Sequence, residues 1–126
     1  MTKRFDRGEV SVESVIILPV IIGMIWLVVQ VALVIHAGNA AHFVASQAAL
    51  AAARHGATLA SADTALATAV ESVGARLASA PRVEWASDHV TVRVDIVVPR
   101  VAPFFGDSVS RSVTSPRERF ITYAER

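Results

Sequence analysis

The sequence predicts an α+β chain: a long N-terminal membrane-spanning helix that continues outside the bilayer, a second amphipathic helix and a small antiparallel sheet. Three stretches carry that prediction. Residues 15–35, VIILPVIIGMIWLVVQVALVI, are 21 residues without a charged side chain, about 30 Å of helix at 1.5 Å per residue, the thickness of a bilayer core. Residues 37–54 are rich in alanine, the best helix former, and nothing breaks the run. After Pro81 the pattern changes, and Val90, Val92, Val94 and Ile96 alternate with Thr91, Arg93, Asp95 and Val97. That period of two belongs to a strand with one buried face.

Taking the elements in order, the chain opens with Lys3, Arg4 and Arg7, and the first basic residue beyond the apolar run is Arg54. This asymmetry predicts a cytoplasmic N-terminus and an extracytoplasmic C-terminal part. A secretory signal peptide is the alternative, with Gly38-Asn39-Ala40 as the cleavage site. The apolar run exceeds the 7 to 15 residues of such peptides, and the alanine-rich helix continues through the supposed cut. Within the run, Pro19 removes one helix hydrogen bond and leaves the carbonyl of Val15 without its partner, which predicts a kink or a looser turn. Pro19 therefore reads either as a tolerated irregularity of a simple anchor or as a hinge used in an assembly.

Ala37, Ala41, Ala45, Ala49 and Ala53 recur every four residues, with Ala48 and Ala52 beside them. Such a small-residue ridge lets two helices approach closely and predicts a helix–helix interface. Alanine enrichment by composition alone would produce the same ladder. His42, Gln47 and Arg54 mark the opposite, polar side. His55-Gly56 is expected to end the helix, with Gly56 in a left-handed cap. Ser61 or Asp63 is expected to cap the second helix, whose stripe is Leu66, Ala69, Val70, Val73 and Leu77 and whose end is near Ala80, before Pro81. Val83-Glu84-Trp85 is the expected antiparallel partner of the alternating strand across the turn Ala86-Ser87-Asp88. Pro99 and Pro103 bracket a loop with Phe104-Phe105-Gly106-Asp107, and residues 109–113 and 120–123 read as further extended segments. The second helix is expected to cover the sheet.

Composition narrows the function. Twelve basic and eleven acidic residues leave a net charge of +1, without the basic stripe of a nucleic-acid-binding domain. The absence of cysteine excludes a disulfide framework and a thiolate metal site. The four histidines, His36, His42, His55 and His89, include no i, i+4 pair of the kind a helical zinc site needs. Ser87, Asp88 and His89 are only sequence neighbours, and a nucleophile must meet its base through the fold. There is no glycine-rich phosphate loop. No enzyme activity, no cofactor, no metal, no nucleic acid and no small-molecule substrate is expected.

Glu13 remains, a carboxylate at the start of the apolar run. It reads either as a charge tolerated near a helix N-terminus or as one kept to find a partner inside an assembly.

The stretch Arg7-Gly8-Glu9-Val10-Ser11-Val12-Glu13, followed by Ile17-Leu18-Pro19, resembles the N-terminus of the TadE-like family. Its members are pseudopilins or minor pilins of the tight-adherence (Flp-type) pilus system, a type IV pilus relative. The alanine-rich helix, the alternating strand and the tail Arg111-Ser112-Val113 extend the likeness over nearly the whole chain. The resemblance implies a pilin-like fold and cleavage by a prepilin peptidase between Gly8 and Glu9. Glu13 would then be the fifth mature residue and would pair with the free amino group of a neighbouring subunit. Two residues depart from the family pattern: Ser14, where an aromatic is common, and Glu9, a second acid beside the cut.

The resulting expectation is a minor pilin in the cytoplasmic membrane that acts in pilus assembly and cell adhesion. Its partners would be membrane lipid, other pilin-like subunits, the pilus assembly platform and the prepilin peptidase. Residues 1–8 form the cytoplasmic basic leader, 9–55 the transmembrane and assembly helix, and 56–126 the extracytoplasmic helix-plus-sheet domain. Gly8 and Glu9 are the processing residues, and Glu13, Pro19, Ala37, Ala41, Ala45, Ala49 and Ala53 the assembly residues. The competing reading is a single-pass anchored module that binds an extracytoplasmic ligand and folds alone from about Ala60.

Overall fold

The computed structural model describes residues 9–118, with side chains from Glu13 onward. The leader with Gly8 and the extended segment expected at residues 120–123 lie outside the described residues. The elements are α1 (Glu9–Ala53), α2 (Leu59–Val73), β1 (Arg82–Trp85), β2 (His89–Val97) and β3 (Ser108–Pro116), an α+β architecture. The strands form one antiparallel sheet in the order β1-β2-β3.

α1 runs unbroken for 45 residues, with Pro19 inside it. It ends at Ala53, where Glu118 N–H donates to the Ala53 carbonyl at 2.9 Å and the Glu118 carboxylate accepts from His55 N–H at 3.3 Å. Gly56 follows at φ +74°, the left-handed geometry that the chain reversal requires.

α2 begins earlier than expected, because Thr58 rather than Ser61 or Asp63 is its cap. The Thr58 hydroxyl accepts from Ser61 N–H at 3.3 Å, and the Ser61 hydroxyl accepts from Thr58 N–H at 3.1 Å. Two residues three apart thus satisfy two otherwise unpaired helix donors. α2 also ends earlier, at Gly74 (φ +62°) and not near Ala80, since a left-handed glycine stops a helix without needing the proline. Leu77 is therefore not on the helical stripe. It forms a bridge with Ile96, and Arg76 O and Ala78 N–H bond Val97 and Asp95 at 2.8 Å each. This segment takes the part of the β2 edge that short β1 leaves open.

The expected antiparallel β1–β2 hairpin is present, with β1 starting one residue earlier at Arg82, Trp85 opposite Val90 and Arg82 opposite Arg93. The alternation of β2 translates directly into burial, as Val90, Val92, Val94 and Ile96 are all at or below 1% exposure. The layer that covers them differs from the expectation. α1, not α2, lies across both β2 and β3, and α2 packs on α1. One core joins Ala41, Val44, Ala45 and Ala48 of α1 with Leu66 of α2 and the valines of β2. The alanines permit this close approach, and so does Gly38, where an added Cβ would stand 3.1 Å from the Arg111 guanidinium of β3.

β3 and the two residues that follow it run alongside α1, from Val109 near Gly38 to Glu118 at Ala53. The domain therefore has two poles. The β2–β3 loop lies at the pole nearer the N-terminal half of α1, and the β1–β2 turn lies at the far one. On the outer face of the sheet, Ser110 and Ser79 hydroxyls donate to Asp95, the latter at 2.6 Å. These two bonds, aided by Arg93 and Arg82 and opposed by partial desolvation, hold the Asp95 carboxyl below its ordinary value.

Candidate functional site

α1 divides at Gln30. On its N-terminal side every residue from Glu13 to Val29 is exposed, including Val15 at 71%, Met24 at 63% and Trp26 at 53%. These large apolar side chains have no cover from the rest of the described residues. The helix from Glu13 is long and apolar enough to cross a membrane.

Gln30 itself is fully buried, although it sits in the apolar run. Its side-chain oxygen accepts from the N–H groups of Val101 and Ala102 at 2.7 and 3.0 Å, and its Nε2 donates to the Pro99 carbonyl at 3.4 Å. The amide thus satisfies three backbone groups of the β2–β3 loop and fixes where the folded domain begins along the helix. Sequence reasoning missed Gln30. The available signal was a lone amide among 21 uncharged, mostly apolar residues, a position where an unpaired polar group is costly.

The predicted assembly residues fall into two groups. Glu13 and Pro19 lie on the uncovered half, with Glu13 exposed. Ala37, Ala41, Ala45, Ala49 and Ala53 are 0 to 5% exposed and form part of the chain's own core. The ridge does serve a close packing contact, but its partners are the sheet and α2 of the same chain. The outward face of the same helix segment carries His42 and Gln47 as expected, and also three large apolar residues that the polar reading of that face overlooked: Ile35, Phe43 and Leu50, at 58, 42 and 54% exposure. At steps of eight and seven residues they stand on one side of the helix. Glu9 opens α1, and Gly8 lies outside the described residues.

The long helix thus joins an uncovered apolar half to a half locked into a small domain. Residues 8–58 are similar to the TadE-like family. They match the family model described as TadE-like protein, the family that the N-terminal motif resembles. The match ends at Thr58, the cap of α2, so the alternating strand and the Arg111-Ser112-Val113 tail lie outside it. No curated protein and no solved structure gives a match.

Elsewhere among the described residues, few side chains group in a way that resembles a reaction centre. Among the described residues no three of His, Asp and Glu cluster closely enough to hold a metal ion. Asp88 and His89 meet at 2.6 Å in the β1–β2 turn, on an open surface at the far pole. A cleft of about 300 Å³ lies between α1, the end of α2 and β2, and its lining of Leu33, Ala37, Val73, Ile96 and Pro99 is mainly apolar.

Proposed function

We propose that the chain is a minor pilin or pseudopilin of the tight-adherence (Flp-type) pilus, held in the cytoplasmic membrane by the first half of α1 with its small domain outside. The observation that carries this reading is the division of α1 at Gln30 within a TadE-like segment. A simple anchor needs an apolar span, but it has no need for that span to continue rigidly as the central layer of the domain it carries. In a pilin-like assembly that continuity transmits the position of one helix to a whole subunit.

Subunits meet along the uncovered apolar half and the outward stripe of Ile35, Phe43 and Leu50. Ala37, Ala41, Ala45, Ala49 and Ala53 contribute indirectly, by seating the domain on the helix. The prepilin peptidase removes residues 1–8, and Glu13 then pairs with the new amino group at Glu9 of a neighbouring subunit, because a charge carried into an apolar assembly needs a partner. Pro19 supplies local give where the helix enters the assembly.

The test combines two measurements in a host with the pilus system. Intact mass of the membrane-extracted chain should show it starting at Glu9, and retention of residues 1–8 would sink the processing step. Glu13→Ala should insert normally and yet leave pili depleted of this subunit; undiminished incorporation would remove the role given to Glu13.

The anchored binding module makes the opposite forecast for a fragment starting at Ala60. Such a fragment loses Ala41, Val44, Ala45 and Ala48, the layer that covers β2, so the pilin reading expects it not to fold alone.

A further inference from the structure

The loop of residues 99–106 connects β2 to β3 at the pole nearest the apolar half of α1. Phe104 at its tip is 94% exposed and Val101 is 41% exposed. The height of this loop along α1 is fixed, because Gln30 holds the backbone of residues 99, 101 and 102 by three hydrogen bonds. From Glu13, the last charged residue before the apolar run, to the clamp at Gln30 the helix rises roughly 25 Å at 1.5 Å per residue, against a bilayer core of about 30 Å. With Glu13 at the inner boundary of the hydrocarbon, Gln30 and its loop stand close to the outer one.

From this placement we infer that the 99–106 loop is a membrane-docking element, with Phe104 inserted among the outer-leaflet headgroups and the upper acyl chains. The proposal rests on the anchor reading of α1. Its own support is the coincidence of an uncovered aromatic tip with the end of the apolar span, to which the loop is tied. Phenylalanine, like tryptophan and leucine, is a residue that interfacial elements bury at the boundary of headgroups and acyl chains. Arg100, half exposed and 3.5 Å from Asp107 at the loop base, lies where a guanidinium can reach lipid phosphate while its stem stays on apolar surface. Lipid surrounds a spanning helix on all sides, so the loop meets it without requiring a partner in one orientation. Docking would give the domain a set height and tilt and thereby orient the outward stripe of α1 for assembly.

The chain has no cysteine, so single nitroxide labels can be introduced cleanly. Full-length protein carrying Phe104→Cys, Leu27→Cys or Ser87→Cys is labelled and reconstituted in vesicles of phosphatidylcholine and phosphatidylglycerol. Collision rates are then measured with oxygen, which concentrates in lipid, and with a water-soluble nickel chelate. The expected result is a lipid-like Leu27 label, a water-like Ser87 label and a Phe104 label at interfacial depth, with oxygen collisions several-fold above those at Ser87. A Phe104 label as wet as Ser87 beside a lipid-exposed Leu27 overturns the docking and leaves the anchor intact. A Leu27 label in water overturns the anchor and the docking together. A Phe104 label shielded from both reagents overturns lipid docking in favour of a protein contact.

Discussion

From Val15 to Val29, α1 carries branched and aromatic side chains that the rest of the chain leaves uncovered, whereas from Ala37 to Ala53 its alanines are almost wholly enclosed. By the usual rule that large apolar groups form the core, the two halves are reversed. The difference shows that size, more than hydrophobicity, sorts the residues of this helix. Where α1 meets a sheet and a second helix of its own chain, small residues permit close backbone approach, and the large volume comes from the opposing Val90, Val92, Val94 and Ile96. On the proposed reading the other half meets lipid or another subunit, where bulk is an advantage. Gln30 marks the change with a polar clamp.

Paired substitutions can break or sharpen this contrast. The largest effect is expected from Ile96→Ala, which removes a side chain at 1% exposure and should cost roughly 2–5 kcal/mol. Ile25→Ala, on the uncovered half, should leave the unfolding midpoint of the detergent-solubilised domain almost unchanged. Equal losses at the two positions would erase the distinction.

A smaller effect is expected at the boundary. Gln30→Leu leaves the N–H groups of Val101 and Ala102 without their acceptor, a cost of about 1–3 kcal/mol. It should also make the 99–106 loop sensitive to limited proteolysis. Gly23→Ala, where an added Cβ meets nothing within 4 Å, should be neutral or slightly stabilising because alanine is the better helix former.

The smallest effect concerns the outer face of the sheet and depends on pH. The Asp95 carboxyl is held below its ordinary value of 3.8, so its contribution is fully present above that value and is lost as pH falls through the lower folded one. Thermal unfolding of Asp95→Asn should therefore show a shallower decline than the parent chain below about pH 4, with parallel behaviour at higher pH.

Much of this was legible in advance where a pattern had a single physical meaning. Twenty-one uncharged residues have few homes, and the alternation from Val90 to Ile96 dictated a one-sided strand that the structure reproduces residue by residue. The ends of α2 were harder to read. Ser61 is an acceptable cap in isolation, but Thr58 three residues earlier recruits it into a reciprocal pair, and Gly74 ends the helix before Pro81 has any influence. The destination of the alanine ridge was open in the sequence, because small-residue spacing specifies close packing without naming the partner, and the nearest partner proved to be the chain's own sheet. Gln30 was hidden for a related reason, since its three backbone partners lie about seventy residues away.

On the proposed reading, subunits meet through the outward stripe of α1 and not through its alanine ridge. Disulfide cross-linking in native membranes tests it most directly, with single cysteines placed at Phe43 and Leu50 on one face and at Ala41 and Ala49 on the other. The account predicts covalently linked subunits for Phe43→Cys and Leu50→Cys, and monomers for Ala41→Cys and Ala49→Cys. Efficient cross-linking through Ala41→Cys or Ala49→Cys, with none through the outward pair, would contradict it.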